Sequence, residues 1–235
     1  MKVFSNRALI GLIALLLLII PASVPQAQQN NRVDLNLVLA IDCSYSVDEQ
    51  EYALQMAGMS AAFIHPAILN AIKNGPYGAI GVTIVQWSHR DSQIIVVPWI
   101  RVATPADALQ LAGLIARTTR RTSEGATSIS GMLSFGQQLL NKAPYQATRN
   151  VIDIVADGEN NNGERVERVR DRLTASGITI NGLAIQNEVR YLYYYMRNRV
   201  IGGNFAFVER AASYRDFARA IHRKLLREIQ NVPVS

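Results

Sequence analysis

Apolar and polar positions along this chain follow two rhythms. Short runs of bulky, branched residues read as strands buried on both faces, and longer stretches with an apolar residue every three or four positions read as helices. "LNLVLAI" at 35–41 is of the first kind. The stretch that follows, "DEQEYALQMAGMSAAFI", is of the second, with Tyr52, Met56, Met59 and Phe63 on one face and Pro66 as its stop. Strand patterns recur at 79–87 and at 93–100, where Pro98 predicts a sheet edge because proline cannot donate to a central ladder. Helical patterns occupy about 105–119 and 129–141, followed by a strand at 150–156 and a helix over about 164–176. The remainder predicts a strand at "ITINGLAI", a helix near 188–200, a short strand at "FAFV" and an amphipathic helix from Tyr214 to about Ile229.

Strands separated by helices of ten or more residues require crossover connections. They predict a mostly parallel, Rossmann-type open sheet with helices on both faces. No repeat, low-complexity tract or linker interrupts the pattern, so one domain over about 33–230 is expected. In open sheets of this kind ligands bind outside the carboxyl ends of the strands, near the point where strand order reverses. Function is therefore sought in the polar residues that follow each strand.

Composition adds a compartment. Lys2 and Arg7 precede the apolar stretch "ALIGLIALLLLII", and small residues follow near Ala27, which is the layout of a secretory signal peptide over residues 1–27. At 13 residues the stretch is short of the roughly 20 that span a bilayer. An exported protein, periplasmic or secreted, with no integral membrane segment after leader cleavage, is expected. Removing the leader lowers the formal charge from +6 to about +4, with 22 basic against 18 acidic residues, too mild a surplus to imply nucleic acid. Cys43 is the sole cysteine, so no internal disulfide can form and the core must be self-sufficient.

Three polar clusters are expected to share one edge of the sheet. Asp42, Ser44 and Ser46 lie in "AIDCSYSVDEQEY", Thr127 in "SEGATSIS" immediately before a helix, and Asp157 in "ADGEN" at the end of a strand. Two carboxylates and three hydroxyls, with no sulfur or imidazole among them, form a hard-oxygen donor set that suits Mg²⁺. Each cluster has a plainer reading. Ser46 with Glu49 makes an S-x-x-E capping box, Thr127 could be an N-cap, and "DGENNNG" could be a turn. Asp153, four residues before Asp157 on a strand, would lie roughly 13 Å away and is expected to be structural.

The D-x-S-x-S of Asp42, Ser44 and Ser46, followed by Thr127 and by Asp157 in a strand-ending Asp-Gly, resembles the metal-ion-dependent adhesion site of von Willebrand factor A domains. The likeness spans about residues 33–230. Together with "VIDIVADGENNNG" and the C-terminal "VIGGNFAFVERAASYRDFARAIHRKLLREI", it resembles a group of exported bacterial proteins of unknown function. The resemblance implies an open sheet with one antiparallel edge strand. It also implies that Ser44 and Ser46 ligate a divalent cation directly, and that Asp42, Thr127 and Asp157 do so directly or through water. Mg²⁺ is the implied ion, with Mn²⁺ or Ca²⁺ as substitutes, and the vacant coordination position would take an exposed Asp or Glu of a protein partner. Cys43 departs from the small or aliphatic residue usual at that place and is expected to pack as a small hydrophobe.

The competing function classes have weaker supports. A metal-dependent hydrolase or phosphatase would use Asp42 or Ser44. Haloacid-dehalogenase-like phosphatases, however, need a second acid two residues after the first, where this chain has Ser44. A serine nucleophile needs a base, and of His65, His89 and His222 only His89 follows a strand at the right edge. Nucleic-acid binding would rest on "RTTRRT" at 117–122 and "VRYLYYYMRNR" at 189–199. In the latter, Leu192, Tyr195, Met196 and Val200 fall at helical spacing, which predicts a helix with one buried face. A non-enzymatic binding module with no nucleic-acid role is the expectation that results.

Overall fold

The structure, a computed structural model, describes residues 31–231. The leader expected over 1–27 lies outside the described residues. Six strands form one sheet: β1 (Arg32–Asp42), β2 (Ile80–Trp87), β3 (Gln93–Val102), β4 (Gln146–Ala156), β5 (Ile178–Ile185) and β6 (Val208–Ala211). Their order is β3-β2-β1-β4-β5-β6, and only the β2–β3 pair is antiparallel. Pro98 therefore sits on an edge strand, as its missing N–H requires. From β1 the chain winds outward to β3, then returns to the other side of β1 and winds outward to β6. The reversal in strand order lies between β1 and β4, and their carboxyl ends carry Asp42 and Asp157.

Burial on both faces explains why the strands read as continuous apolar runs. On β1, Leu35, Leu37, Leu39 and Ile41 join one core while Val38 and Ala40 join the other. The first core is covered by α1 (Glu49–Phe63), α2 (Pro66–Lys73), α3 (Pro105–Ala116) and α7 (Phe217–Gln230). The second is covered by α4 (Ile129–Asn141), α5 (Val166–Ala175) and α6 (Leu192–Tyr195), which runs into a π-helical turn over Met196–Val200.

Four local expectations are corrected. Pro66 stops α1 but also opens α2, because proline at a first helical position gives up an N–H that would have no partner there; His65 caps that helix through its ring nitrogen. The helix expected over 188–200 is one α-turn followed by the π-turn, an arrangement that keeps Leu192, Met196 and Val200 buried. The last strand begins only at Val208, the final residue of "FAFV", and runs on to Ala211, since the Phe207 N–H donates to the buried Asn181 side chain and Phe205 turns outward with a φ of 57°. The N-cap of α1 is Asp48, not Ser46: Asp48 accepts from the Glu51 N–H at 2.7 Å and Glu51 accepts from the Asp48 N–H at 3.0 Å.

Asp153 is the structural residue its strand position suggests. Its fully buried carboxylate contacts the ammonium of Lys224 on α7, also fully buried, and that ammonium lies 3.2 Å from Glu228. Glu228 in turn accepts two bonds from the Asn181 amide at 2.8 and 2.9 Å, so α7 is tied to β4 and β5 by charge as well as by apolar contact. Burial raises the pKa of Asp153, and the neighbouring Lys224 pulls it back. Removing one member of such a network leaves an uncompensated buried charge. Lys224→Met is therefore expected to lower the unfolding free energy by about 3–5 kcal/mol in urea titration. Wild-type stability in that variant would show that the network contributes nothing.

Candidate metal centre

Each loop of the site is held by the chain around it. At the carboxyl end of β1, the Ser44 N–H donates to Asp42 Oδ1 at 2.8 Å, the Val47 N–H to the Ser44 carbonyl at 3.1 Å, and the Tyr45 N–H to the Gly125 carbonyl at 3.0 Å. These bonds fold 42–47 into a tight turn in which Asp42 and Ser44 are buried and Tyr45 is exposed. After β4, three consecutive asparagines tie three other segments. Asn160 accepts from the Ser130 N–H, Asn161 from the Thr127 N–H and Asn162 from the Arg90 N–H, each at 2.9 Å. The Asn161 N–H also donates to the Thr127 carbonyl, fixing Thr127 from both sides. Ser128, not Thr127, caps α4, so the Thr127 hydroxyl has no capping duty.

The structure brings four of the donors into one connected set and places Thr127 beside Gly158, the residue after Asp157. Ser44 Oγ and Ser46 Oγ are 3.3 Å apart, and Ser46 Oγ donates to Asp157 Oδ1 at 2.7 Å. A Cβ on Gly158 would stand 3.4 Å from Thr127 Oγ1, so the residue after Asp157 borders the threonine closely. Adjacent oxygens of an octahedron with metal–oxygen distances near 2.0–2.1 Å are roughly 2.9 Å apart, and the observed spacings straddle that value. Asp42 Oδ2 is buried with no hydrogen-bond partner among the described residues. Burial first, and the charge of Asp157 second, push the Asp42 carboxyl up to about 8. A divalent cation would supply the missing partner and reverse both penalties, so the residues present fit such an ion. Among the described residues no three His, Cys, Asp or Glu side chains converge on a metal position; the hydroxyls complete the set, which again suits a hard cation.

Three contributors escaped the sequence reading. Tyr214, just ahead of α7, donates its hydroxyl to Asp157 Oδ2 at 2.9 Å, and its own pKa is driven far up, chiefly by burial and then by the Asp157 charge. Arg120, in the segment weighed above for nucleic acid, donates to carbonyls of the 42–47 turn. Gln86, buried on β2, holds the backbone on either side of Arg120. None has a local motif, since each acts across 33 residues or more. His89 does reach this edge, but its ring packs on Gly125, where an added Cβ would meet His89 Cδ2 at 2.8 Å. Cys43 is fully buried in the first core, and burial pushes its thiol up to about 12.

Residues 32–233 match the family described as "Protein of unknown function (DUF1194)". The chain belongs to that family. Its fold is that of von Willebrand factor A domains. The DUF1194 chain superposes on proximal thread matrix protein 1 from the mussel byssus with a TM-score of 0.61, at 16% identity over 85% of this chain and 47% of that one. It superposes on the vWF domain of the type V pili tip protein Mfa5 from Porphyromonas gingivalis with a TM-score of 0.55, at 13% identity over 87% and 99% of the two chains. Manganese-loaded TRAP protein from Plasmodium vivax gives 0.51, at 16% identity over 86% and 74%. The chain spans about half the length of the mussel protein. No curated protein matches it. Among the described residues no helix is long and apolar enough to cross a membrane.

Asp42 makes the DUF1194 site sensitive to pH when no metal is bound. The folded protein keeps that proton up to about pH 8, whereas the unfolded chain releases it near 3.8. Between these values the folded state binds the extra proton, so this contribution to stability falls as pH rises. In chelator, the stability of wild type relative to Asp42→Asn should therefore decrease from pH 5 to pH 8, measured by urea unfolding at each pH. A difference that does not change with pH would contradict the assignment.

Proposed function

We propose that the protein is an exported binding module that holds Mg²⁺ at Asp42, Ser44, Ser46, Thr127 and Asp157 and uses it to grip an acidic side chain of a protein partner. The observation that carries this reading is the orphaned, buried carboxylate oxygen of Asp42 beside the Asp157 carboxylate and the hydroxyls of Ser44 and Ser46. Ser44 and Ser46 would meet the ion directly, and Asp42, Thr127 and Asp157 directly or through water. When bound, the ion supplies a Lewis-acidic position open to a carboxylate oxygen from outside. The protein's own part is to hold its oxygens in place and to hold Asp157 through Tyr214.

The fold neighbours support a divalent cation. The mussel matrix protein is described with a zinc-occupied MIDAS motif, and the Plasmodium vivax protein as manganese-loaded. A pilus tip domain among the neighbours accords with an exported, adhesive role, as does the leader pattern in the sequence. A binding role is favoured over hydrolysis because His89, the histidine nearest this edge in sequence terms, is packed on Gly125, while Ser46 is bonded to a carboxylate that the ion would claim.

Ion binding to the folded state alone raises stability by about 2.7 kcal/mol when the free ion is 100 times its dissociation constant. Mg²⁺ or Mn²⁺ should therefore raise the melting temperature of wild type and leave Asp157→Ala and Ser44→Ala unmoved, as followed by thermal unfolding with and without chelator. Equal shifts in all three proteins, or none in wild type, would remove the metal centre. Affinity capture from an exported fraction, with Mg²⁺ and then with chelator, tests the partner: proteins held only with the ion and released by Asp157→Ala are expected.

A further inference from the structure

We infer that Arg120, seated by Gln86, presets the ligand loop of the metal centre and is a positioning residue for ion binding. The inference rests on the metal-binding reading above, but its evidence is independent of the five donors. Arg120 approaches the 42–47 turn from the side of the segment between α3 and α4. Its Nη1 donates to the Val47 carbonyl at 2.6 Å, and its Nη2 to the carbonyls of Cys43 and Ser44 at 2.7 and 3.1 Å. One guanidinium thus collects three carbonyls from a five-residue stretch. The N–H groups of Cys43, Ser44, Tyr45 and Val47 are committed elsewhere, to Trp87, Asp42, Gly125 and Ser44. With four of the five amides and three of the five carbonyls of residues 43–47 engaged, the turn is held at both ends, and Ser44 Oγ and Ser46 Oγ lie 3.3 Å apart.

Arg120 itself is aimed from the core. Gln86 is fully buried, and its amide Nε2 donates to the Thr119 carbonyl at 2.8 Å while its Oε1 accepts from the Arg121 N–H at 2.7 Å, bracketing Arg120 on both sides. The same Nε2 donates to the Tyr52 hydroxyl at 2.7 Å, and that hydroxyl donates to the Thr118 carbonyl at 3.2 Å. A central strand and the first helix therefore fix the origin of the arginine, and the arginine fixes the loop. A planar fork of donors can bridge carbonyls in this way, whereas the point charge of a lysine cannot. The guanidinium also brings a permanent positive charge close to Asp42. An ion then meets a loop already in its final shape, and none of its binding energy is spent on ordering it.

The test compares wild type, Arg120→Lys and Arg120→Ala by two measurements. Mn²⁺ titration calorimetry reads the dissociation constant, and amide hydrogen exchange in chelator reads Ser44, Tyr45 and Val47 against the strand amides of Val38 and Ile154. Losing two to three bonds to buried carbonyls is expected to weaken Mn²⁺ binding by about tenfold or more in Arg120→Ala. It should speed exchange of the three loop amides by a similar factor while the strand amides are unchanged, with Arg120→Lys intermediate in both. Should Arg120→Ala fail to fold, Arg120→Lys against wild type decides. Loop amides that exchange as in wild type overturn the inference, and so does faster exchange with an unchanged Mn²⁺ constant. Wild type that binds no Mn²⁺ defeats the metal reading alone, because loop exchange still decides what Arg120 holds.

Discussion

Two carboxylates end neighbouring parallel strands at the place where strand order reverses, and in that buried setting both cannot be charged without a compensating cation. The β1–β4 pairing imposes this: with Ile41 opposite Val155, the next polar residues of the two strands are Asp42 and Asp157. Asp157 is fully engaged by Ser46 and Tyr214, whereas Asp42 keeps one oxygen without a partner. The other donors are neutral hydroxyls, so the site holds two formal charges, matching a divalent ion. The sheet edge thus stores an unmet electrostatic demand that the rest of the fold keeps from relaxing.

The means of keeping it are mostly side-chain amides that act as backbone partners. Asn160, Asn161 and Asn162 anchor the N-terminal end of α4 and the β2–β3 turn to the Asp157 loop, while Gln86 anchors the segment bearing Arg120. Amides can donate and accept without carrying charge, so they fix loops beside the carboxylates without altering the charge count. Charged side chains that are fully buried occur further along the sheet, where Asp153, Lys224 and Glu228 hold α7.

The alternation of buried runs and helical faces made the sheet, its edge strand and most helices legible, because burial on both faces leaves a pattern in consecutive residues. The candidate donors could be nominated for a related reason, since Asp42 ends β1, Ser44 and Ser46 follow it and Asp157 follows β4, while Thr127 was singled out by the helix it precedes. What stayed hidden acts at long range or competes with an equally good local pattern. Both Ser46/Glu49 and Asp48/Glu51 satisfy the capping-box spacing, and nothing local shows that Val47 is buried and delays the helix start to Glu49. "FAFV" has good strand residues, but the side chain of Asn181, 26 positions earlier, takes the Phe207 N–H. Arg120 reads as one of three basic residues in "RTTRRT" until its carbonyl partners, 73 to 77 positions away, are seen.

Cys43 acquires a meaning from this packing. A free thiol is open to mixed disulfides and sulfenic acid under oxidising conditions, and its reactivity depends on exposure and on the thiolate fraction. This thiol sits within the 42–47 turn, fully buried in the first core, and burial pushes it up to about 12. Reagents reach a fully buried side chain only through local opening of the fold around it, as amide exchange does. The residue that fits the candidate site least by chemistry is thus, by position, one that only local unfolding exposes.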